Sequence, residues 1–553
     1  MPSGGGGVAG GVVSAPLRRI GRSLAIRHVT LRLWPRAVLP RWLGMGCLVG
    51  CDVVFRIRTL RLEVGRTVGR AARAPVGSVV PKWRHVVMQR LTRGRAKPLI
   101  VGCLLASASI VGADVAHADG VRFSDFTPLA ASAGPTADEA RPMTLSNAAF
   151  RQRSVADRMT QLPAGAPNSG SWDMITVNET GAHKGQFLFT VFETGQSGVQ
   201  RHDVATGRTE TIWNSPQPGG HVAFDASYWT PWGTHITAEE SWCTAPAGCT
   251  TSIYGRLFEL KNPTTAPAIT EPLTATSNDG AEMGHRNVIP RTSHEGIQFD
   301  QAGNMYFIDE LNGGSLYKYT PAASWGQIKS GRADYFAAGQ TFVLRVGTGN
   351  TPNATGSYTW VPITDTKGAA LPGAITITDP NGVTSVDARN TTDLPAFKGT
   401  DYQRPEDMQI QTVHGAQYLY VTTTTTNEVY RLALDTSTIT VFADRAATDL
   451  ATNTPVGSAL TSPDNLAIDH DGNVYIVEDR NGGVDDDIWF ARDRNHDGDL
   501  NDADEGIARW ASNGTLGSEF TGLYFDPTNK RRAWVNIQHP DSDNDRTIEI
   551  TIP

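Results

Sequence analysis

The residues of this chain best suited to chemistry are carboxylates, and they recur in a repeated pattern. One stretch reads His294-Glu295-Gly296-Ile297-Gln298-Phe299-Asp300, then Gly303-Asn304-Met305-Tyr306-Phe307-Ile308-Asp309-Glu310. A second reads Pro463-Asp464-Asn465-Leu466-Ala467-Ile468-Asp469, then Gly472-Asn473-Val474-Tyr475-Ile476-Val477-Glu478-Asp479. Each begins and ends on acids. Acids at matching repeat positions are brought together by symmetry, where they repel unless cations sit among them. Glu239, Glu240, Glu295, Glu406, Asp464, Asn465, Glu478 and Asp479 are therefore candidate ligands of a polynuclear metal site. The plainer alternative is that they hold turns and bond neighbouring repeats together.

A separate acidic motif runs from Asp493 to Glu505. Oxygen-bearing side chains fall at Asp493, Asn495, Asp497, Asp499, Asn501 and Asp504, with Gly498 at the sixth position. Calcium takes six or more hard oxygens on a sharply turning loop, and glycine permits that turn. Asp at the twelfth position gives the loop a dockerin-like form. The alternative is a solvated acidic turn.

Two further side chains complete the set. Arg404 stands two residues before Glu406, so its guanidinium can project over a site built on that acid and face a phosphate or sulfate. A salt bridge between repeats is an equal reading. His539, in Gln538-His539-Pro540, is an acid/base, a ligand or a latch, and the sequence does not rank these. His294-Glu295 begins like a zinc-protease motif, but Gln298 stands where the second histidine belongs. No G-x-S-x-G elbow, Walker loop or dinucleotide fingerprint occurs. An enzymatic reading thus rests on metals.

The elements that position these groups are short β-strands. The repeat is a pair of alternating apolar runs about a Gly-Asn turn, and it has four weaker relatives, beginning near Asp173, His221, Arg404 and Phe520. Several continue into a third strand. Six such units predict an all-β fold, a six-bladed β-propeller over 172–553, with an insertion of extra strands or a lid at about 321–403. In a propeller the first strand of each blade lines the central channel. Alignment then places Glu295, Glu406, Asp464 and Thr521 around one mouth. The second strands end near the same rim at Glu239-Glu240, Asp309-Glu310 and Glu478-Asp479.

The 553 residues are of two kinds. Residues 1–118 hold 19 Lys+Arg against three acids, and the remainder holds 30 against 53, a formal charge of −23. Met88 to Lys97 is basic, Pro98 to Gly112 mostly apolar, and Ala116-His117-Ala118 is an A-x-A site. Residues 88–118 thus predict a signal peptide cleaved after Ala118, and a secreted or periplasmic protein without a stable membrane anchor. Residues 1–87 read as an over-long gene start or a disordered basic arm, and 119–171 as a tail or clasp. The mature chain keeps two cysteines, Cys243 and Cys249, whose closeness predicts a disulfide in an oxidising compartment. Metal ligation is the alternative, but no second Cys pair accompanies them. The acidic mature chain argues against nucleic acid as a partner and favours divalent cations.

Several motifs together resemble the PhoX alkaline phosphatase family from about Trp172 to the C-terminus. They are Phe192-Glu193-Thr194-Gly195, Thr230-Pro231-Trp232-Gly233 with Glu239-Glu240, His294-Glu295-Gly296, Arg404-Pro405-Glu406-Asp407, Pro463-Asp464-Asn465-Leu466 and Gln538-His539-Pro540. The resemblance implies an exported six-bladed propeller acting on small-molecule phosphate monoesters; a monomer is expected. It implies a site combining Fe3+ and Ca2+ with acidic ligands and an arginine near the phosphate. The family pattern also places an iron-bridging Cys just before the paired glutamates, and here that position is Ala238. This departure leaves open an all-calcium or otherwise altered site. Two other classes remain: a calcium-dependent lactonase or esterase like the paraoxonase and gluconolactonase propellers, which Asn465 fits, and a non-catalytic calcium-stabilised binding propeller.

Overall fold

Each of the six repeats forms a blade of antiparallel strands. A computed structural model describes residues 120–162, 167–215, 220–242, 252–269, 280–480 and 486–553. The leader, the basic arm and the Cys243–Cys249 pair lie outside these residues.

Blade 1 comprises Trp172–Val177, Phe187–Phe192, Gly198–Asp203 and Arg208–Asn214. Blade 2 comprises Phe224–Trp229, His235–Glu239, Leu257–Leu260 and Met283–His285. Blade 3 has Ile297–Phe299, Met305–Ile308, Leu316–Pro321 and Gly339–Val346, and blade 4 has Pro405–Val413, Ala416–Thr423, Glu428–Ala433 and Thr438–Ala443. Blade 5 is Pro463–Ile468, Val474–Glu478, Asp487–Arg492 and Gly506–Asn513. The first strands of the blades neighbour one another in a closed ring about the channel.

Blade 6 draws on both ends of the described chain. Glu519–Phe525, Arg532–Gln538 and Arg546–Thr551 take their fourth strand from Arg151–Asp157. This segment from the 119–171 region pairs the last strand of the chain and forms the outer edge of blade 6. Met143–Leu145 extends blade 5 in the same way.

The insertion at 321–403 carries extra strands. It supplies the fourth strand of blade 3, and its strand Gly356–Pro362 pairs with that strand and with the outer strand of blade 4. Blades 3 and 4 thereby share one nine-stranded sheet.

Alternation along each strand buries one face against each neighbouring blade. Six apolar layers result, one per interface. Leu419, Leu432 and Tyr358 belong to the layer between blades 3 and 4, and Leu466, Ile476 and Trp489 to that between blades 4 and 5. The layer between blades 6 and 1 is divided, with Ile175, Val177, Leu188 and Trp534 in one buried cluster and Ala156, Trp172 and Phe192 in another.

The near-identical hairpins of blades 3 and 5 share one hydrogen-bond pattern. Asp300 accepts from the Asn304 amide at 2.8 Å, the Asn304 side chain at 2.6 Å and the Tyr306 hydroxyl at 3.1 Å. Asp469 accepts from Asn473 at 2.9 and 2.8 Å and from Tyr475 at 3.1 Å. These central aspartates fix the turn, while the acids at the two ends of each hairpin approach the channel mouth.

Candidate metal centre

The mouth is a cavity of about 470 Å³, lined among the described residues by ten carboxylates and one guanidinium. Two tiers of side chains build it. The inner strands contribute Asp173, Asp225, Glu295, Glu406, Asp464 and Thr521, one per blade in order. The ends of the second strands contribute Glu193, Glu240, Glu310, Asp479 and Gln538. Blade 4 has Thr424 at the matching place, and its hydroxyl bonds Glu406. Glu519 adds the tenth acid.

Local backbone geometry aims the inner tier. The residue just before the inner strand is left-handed in four blades: Ser171, Ala223, Arg404 and Ser462 have φ of 45, 35, 53 and 44°. Such a φ costs a non-glycine residue about 1–2 kcal/mol, which the paired strands on either side sustain. Three of these residues are small. In blade 4 the same place holds Arg404, so its long side chain reaches the cavity. Deeper in the channel the inner strands crowd together: a Cβ on Gly296 would meet the Met408 amide nitrogen at 2.6 Å.

Period-2 alternation decides which member of each acid pair faces inward. Glu240 and Asp479 line the cavity, and the residues before them face away. Glu239 is instead fully buried against Arg256, with contacts of 2.6 and 2.9 Å, and accepts the Arg256 amide. Glu478 accepts from the Thr461 amide at 2.8 Å and Trp489 Nε1 at 2.9 Å, and pairs with Arg480. Both acids tie together segments of their own blade, and neither lines the cavity. Asn465 lies beneath the tier. Its amide donates to Glu295 at 3.0 Å and Asp464 at 2.9 Å, while its carbonyl accepts from the Gly522 amide. It orders two acids without lining the mouth.

Burial and mutual repulsion hold these acids toward the neutral form. Asp173 is raised well above the usual carboxylate range by burial and by Asp464, and Asp225 by burial and Asp173. Glu310 is raised by burial, Glu240 and Glu406. Burial and Asp464 push Glu406 up to about 8, against the opposing pull of Arg404. Asp464 is raised to about 7 by burial and Asp479. Oxygens of Asp225, Glu240 and Glu310 lie within 4.8 Å of one another, and Oε2 of both Glu295 and Glu519 is buried without a hydrogen-bond partner. Orphaned buried oxygens among repelling acids form a donor set suited to hard cations.

Among the described residues, Arg404 is the lone Lys or Arg side chain of the lining. Its Nη2 donates to Glu310 at 2.6 Å, and its Nε lies 3.2 Å from both Glu310 and Glu406. Burial alone would lower its basicity, but Glu406 and Glu310 outweigh that and raise it. The Trp242 ring stacks 4.9 Å from its guanidinium carbon, and the indole N–H donates to Glu310 at 3.1 Å and to Glu240. Trp242 carried no signal in the sequence, since it follows the repeat and belongs to no strand.

His539 also lines the mouth. Its Nδ1 lies 2.9 Å from the Gly517 carbonyl, an acceptor, so Nδ1 carries a proton. Its Nε2 lies 2.7 Å from Glu519 Oε1. Glu519 is raised well above its usual range by burial and Asp479, and the 2.7 Å contact is a hydrogen bond between Nε2 and Oε1.

Ala238 belongs to the apolar layer between blades 2 and 3 and is fully buried. It does not line the cavity. The loop at 493–505 lies between the third and fourth strands of blade 5, outside the lining. There one oxygen each of Asp493, Asp497 and Glu505 lie within 4.8 Å of one another. Asp504 is exposed and pairs with Arg494 at 3.3 Å. The predicted closing ligand is therefore not in the cluster, and Glu505, one residue later, is. Asp499 is not in that group of acids; it accepts the Asn501 amide at 3.0 Å, and Asn495 bonds Asp497 and Asp502.

Comparison with known families matches residues 226–541 to the family described as Alkaline phosphatase PhoX. Comparison with curated proteins finds no match. Among solved structures, the chain is similar to a gluconolactonase from Xanthomonas campestris, at 12% identity over 77% of this chain and 100% of the other, with a TM-score of 0.36. It is also similar to a putative phosphatase from Bacteroides thetaiotaomicron, at 12% identity, 73% and 79% coverage and a TM-score of 0.39. A calcium-binding regucalcin from Agrobacterium tumefaciens matches at 12% identity, 73% and 94% coverage and a TM-score of 0.33.

Proposed function

Because the chain belongs to the PhoX alkaline phosphatase family, we propose that it is an exported, metal-dependent phosphatase that hydrolyses small-molecule phosphate monoesters at the channel mouth. The observation that carries this reading is the cavity in which, among the described residues, ten carboxylates surround Arg404 as the one guanidinium. Asp225, Glu240, Glu295, Glu310, Glu406 and Asp464 would hold the cations. Calcium is the resident ion this donor set favours, and iron is the ion Ala238 leaves in question. Bound there, such ions supply charge neutralisation for phosphate oxygens and an activated water or hydroxide.

The chain's own groups orient and protonate. Arg404 is fixed by Glu310, Glu406 and Trp242, so its guanidinium meets the phosphate without reorganising. Nη1 takes part in neither ion pair. The proton held between His539 and Glu519 stands at the cavity wall, where it can pass to the leaving alkoxide. Trp242, 42% exposed, offers a flat apolar surface beside the arginine for the ester's organic group.

The test is turnover of an aryl phosphate and a lactone by residues 119–553, with calcium, with added iron, and after chelation. Phosphatase activity that disappears on chelation and in Glu406→Gln is expected. Lactone turnover without phosphatase activity would overturn the reading in favour of the lactonase class. Metal analysis of the same protein decides between calcium alone and iron with calcium.

A further inference from the structure

The loop of blade 5 at 493–505 packs six carboxylates into thirteen residues. Acid density alone means little, but two oxygens here are buried and lack any donor. Glu505 is 2% exposed; its Oε1 accepts the amides of Arg494 at 2.8 Å and Asn495 at 3.2 Å, while Oε2 has no partner. Asp493 Oδ2 accepts the Gly498 amide at 3.0 Å, and its Oδ1 has no partner either. A buried acceptor left unpaired is costly, and more so when charged. The one guanidinium of the loop, on Arg494, turns out to Asp504 in a pair that is 70% and 76% exposed.

We propose that this loop binds one Ca2+ through Asp493, Asp497 and Glu505, closing on Glu505 and not on Asp504, and that the ion fastens blade 5 to blade 4. The donors are all oxygens and the loop is irregular, which suits the flexible, high coordination of calcium better than the strict octahedron of magnesium. The change of closing residue has a backbone cause. Asp504 is left-handed, with φ of 68°, and projects its side chain into solvent. Glu505 then enters the fourth strand, which begins at Gly506, and its longer side chain reaches back into the loop.

The link to blade 4 is Arg431, on the third strand of that blade. Its Nη1 donates to the Asp497 carbonyl at 2.7 Å, and its guanidinium lies 3.7 Å over the Tyr418 ring. It fills the space that a Cβ on Gly498 would need. Gly498 thus serves both its own φ of 94° and the approach of the neighbouring blade. An ion that fixes Asp497 also fixes the acceptor of Arg431.

Equilibrium dialysis of the full chain against calcium, after chelation, tests the assignment. Glu505→Gln and Asp497→Asn should each bind one calcium fewer per chain than wild type, and Asp504→Asn the wild-type number. Hydrogen exchange should slow on adding calcium across both 493–505 and 428–433 in wild type, and not in Asp497→Asn. If Glu505→Gln does not fold, Asp497→Asn, whose side chain is exposed, decides alone. An unchanged calcium count in Asp497→Asn, loss of one equivalent in Asp504→Asn, or calcium-insensitive exchange at 428–433 would overturn the proposal.

Discussion

In the presence of a chelator, the stability of the protein should fall as the pH rises from 7 to 8. Burial and neighbouring acids raise Glu406 to about 8, and burial with Asp479 and Glu478 raises Asp486 to about 8. In the unfolded chain both titrate near 4. Over this interval the folded state therefore holds more protons than the unfolded state, and the stability slope is negative. Each fully retained proton is worth about 1.4 kcal/mol per pH unit. Averaged across pH 7 to 8, a group titrating near 8 keeps roughly three-quarters of a proton, so these two acids together cost about 2 kcal/mol. The interval matters because buried histidines act oppositely. His221, His235 and His294 are lowered to about 3 by burial first of all, and His202 and His285 to about 4. They make stability rise with pH up to roughly 6.5 and contribute little above 7. The assay is denaturant unfolding at pH 7.0, 7.5 and 8.0, in chelator and in excess calcium. Calcium should remove the share of the decline due to Glu406, which lines the mouth, because bound cations favour the ionised carboxylate, and binding should release protons; Asp486 lies outside that lining and should keep its share. A chelated protein whose stability is flat or rising from pH 7 to 8 would refute the claim that the fold holds these acids neutral.

Glu239→Gln should lower stability by about 3–5 kcal/mol by stranding the buried Arg256, measured by chemical denaturation. Its calcium stoichiometry should remain that of wild type. A chain beginning at Arg158 lacks the fourth strand of blade 6 and the packing of Phe123 and Phe150 against Trp510. It should aggregate or lose cooperative unfolding, read by calorimetry and light scattering. Arg404→Ala should reduce kcat/KM for an aryl phosphate by about 100- to 1000-fold, as loss of a preorganised donor does. Arg404→Lys should recover part of it, since the charge returns but the fork does not.

The blades were legible because alternation and turn residues are local. Asp300-x-x-Gly303-Asn304 and Asp469-x-x-Gly472-Asn473 write the same hairpin twice, and the identical hydrogen bonds around Asp300 and Asp469 follow from those residues. Glu240, Glu295, Glu406, Asp464 and Asp479 could be placed at one mouth by aligning repeats, since symmetry converts a sequence position into a ring. The same alignment did not separate Glu239 from Glu240, or Glu478 from Asp479. Adjacent acids point to opposite faces, and which face meets the channel depends on strand register. Asp504 and Glu505 differ for a related reason: one left-handed φ reverses which of them reaches the loop.

The sequence by itself determined the all-β class, the six repeats and the concentration of acids at repeat ends, because each depends on periodicity and short-range turn chemistry. Tertiary structure alone decided three things. It supplied Arg151–Asp157 as the closing strand, a pairing across nearly four hundred residues that no local pattern encodes. It set Trp242 against Arg404, a contact between segments of blade 2 and blade 4. And it turned scattered carboxylates into one cavity in which burial and mutual repulsion hold them toward neutrality, a property no residue has until its neighbours are in place.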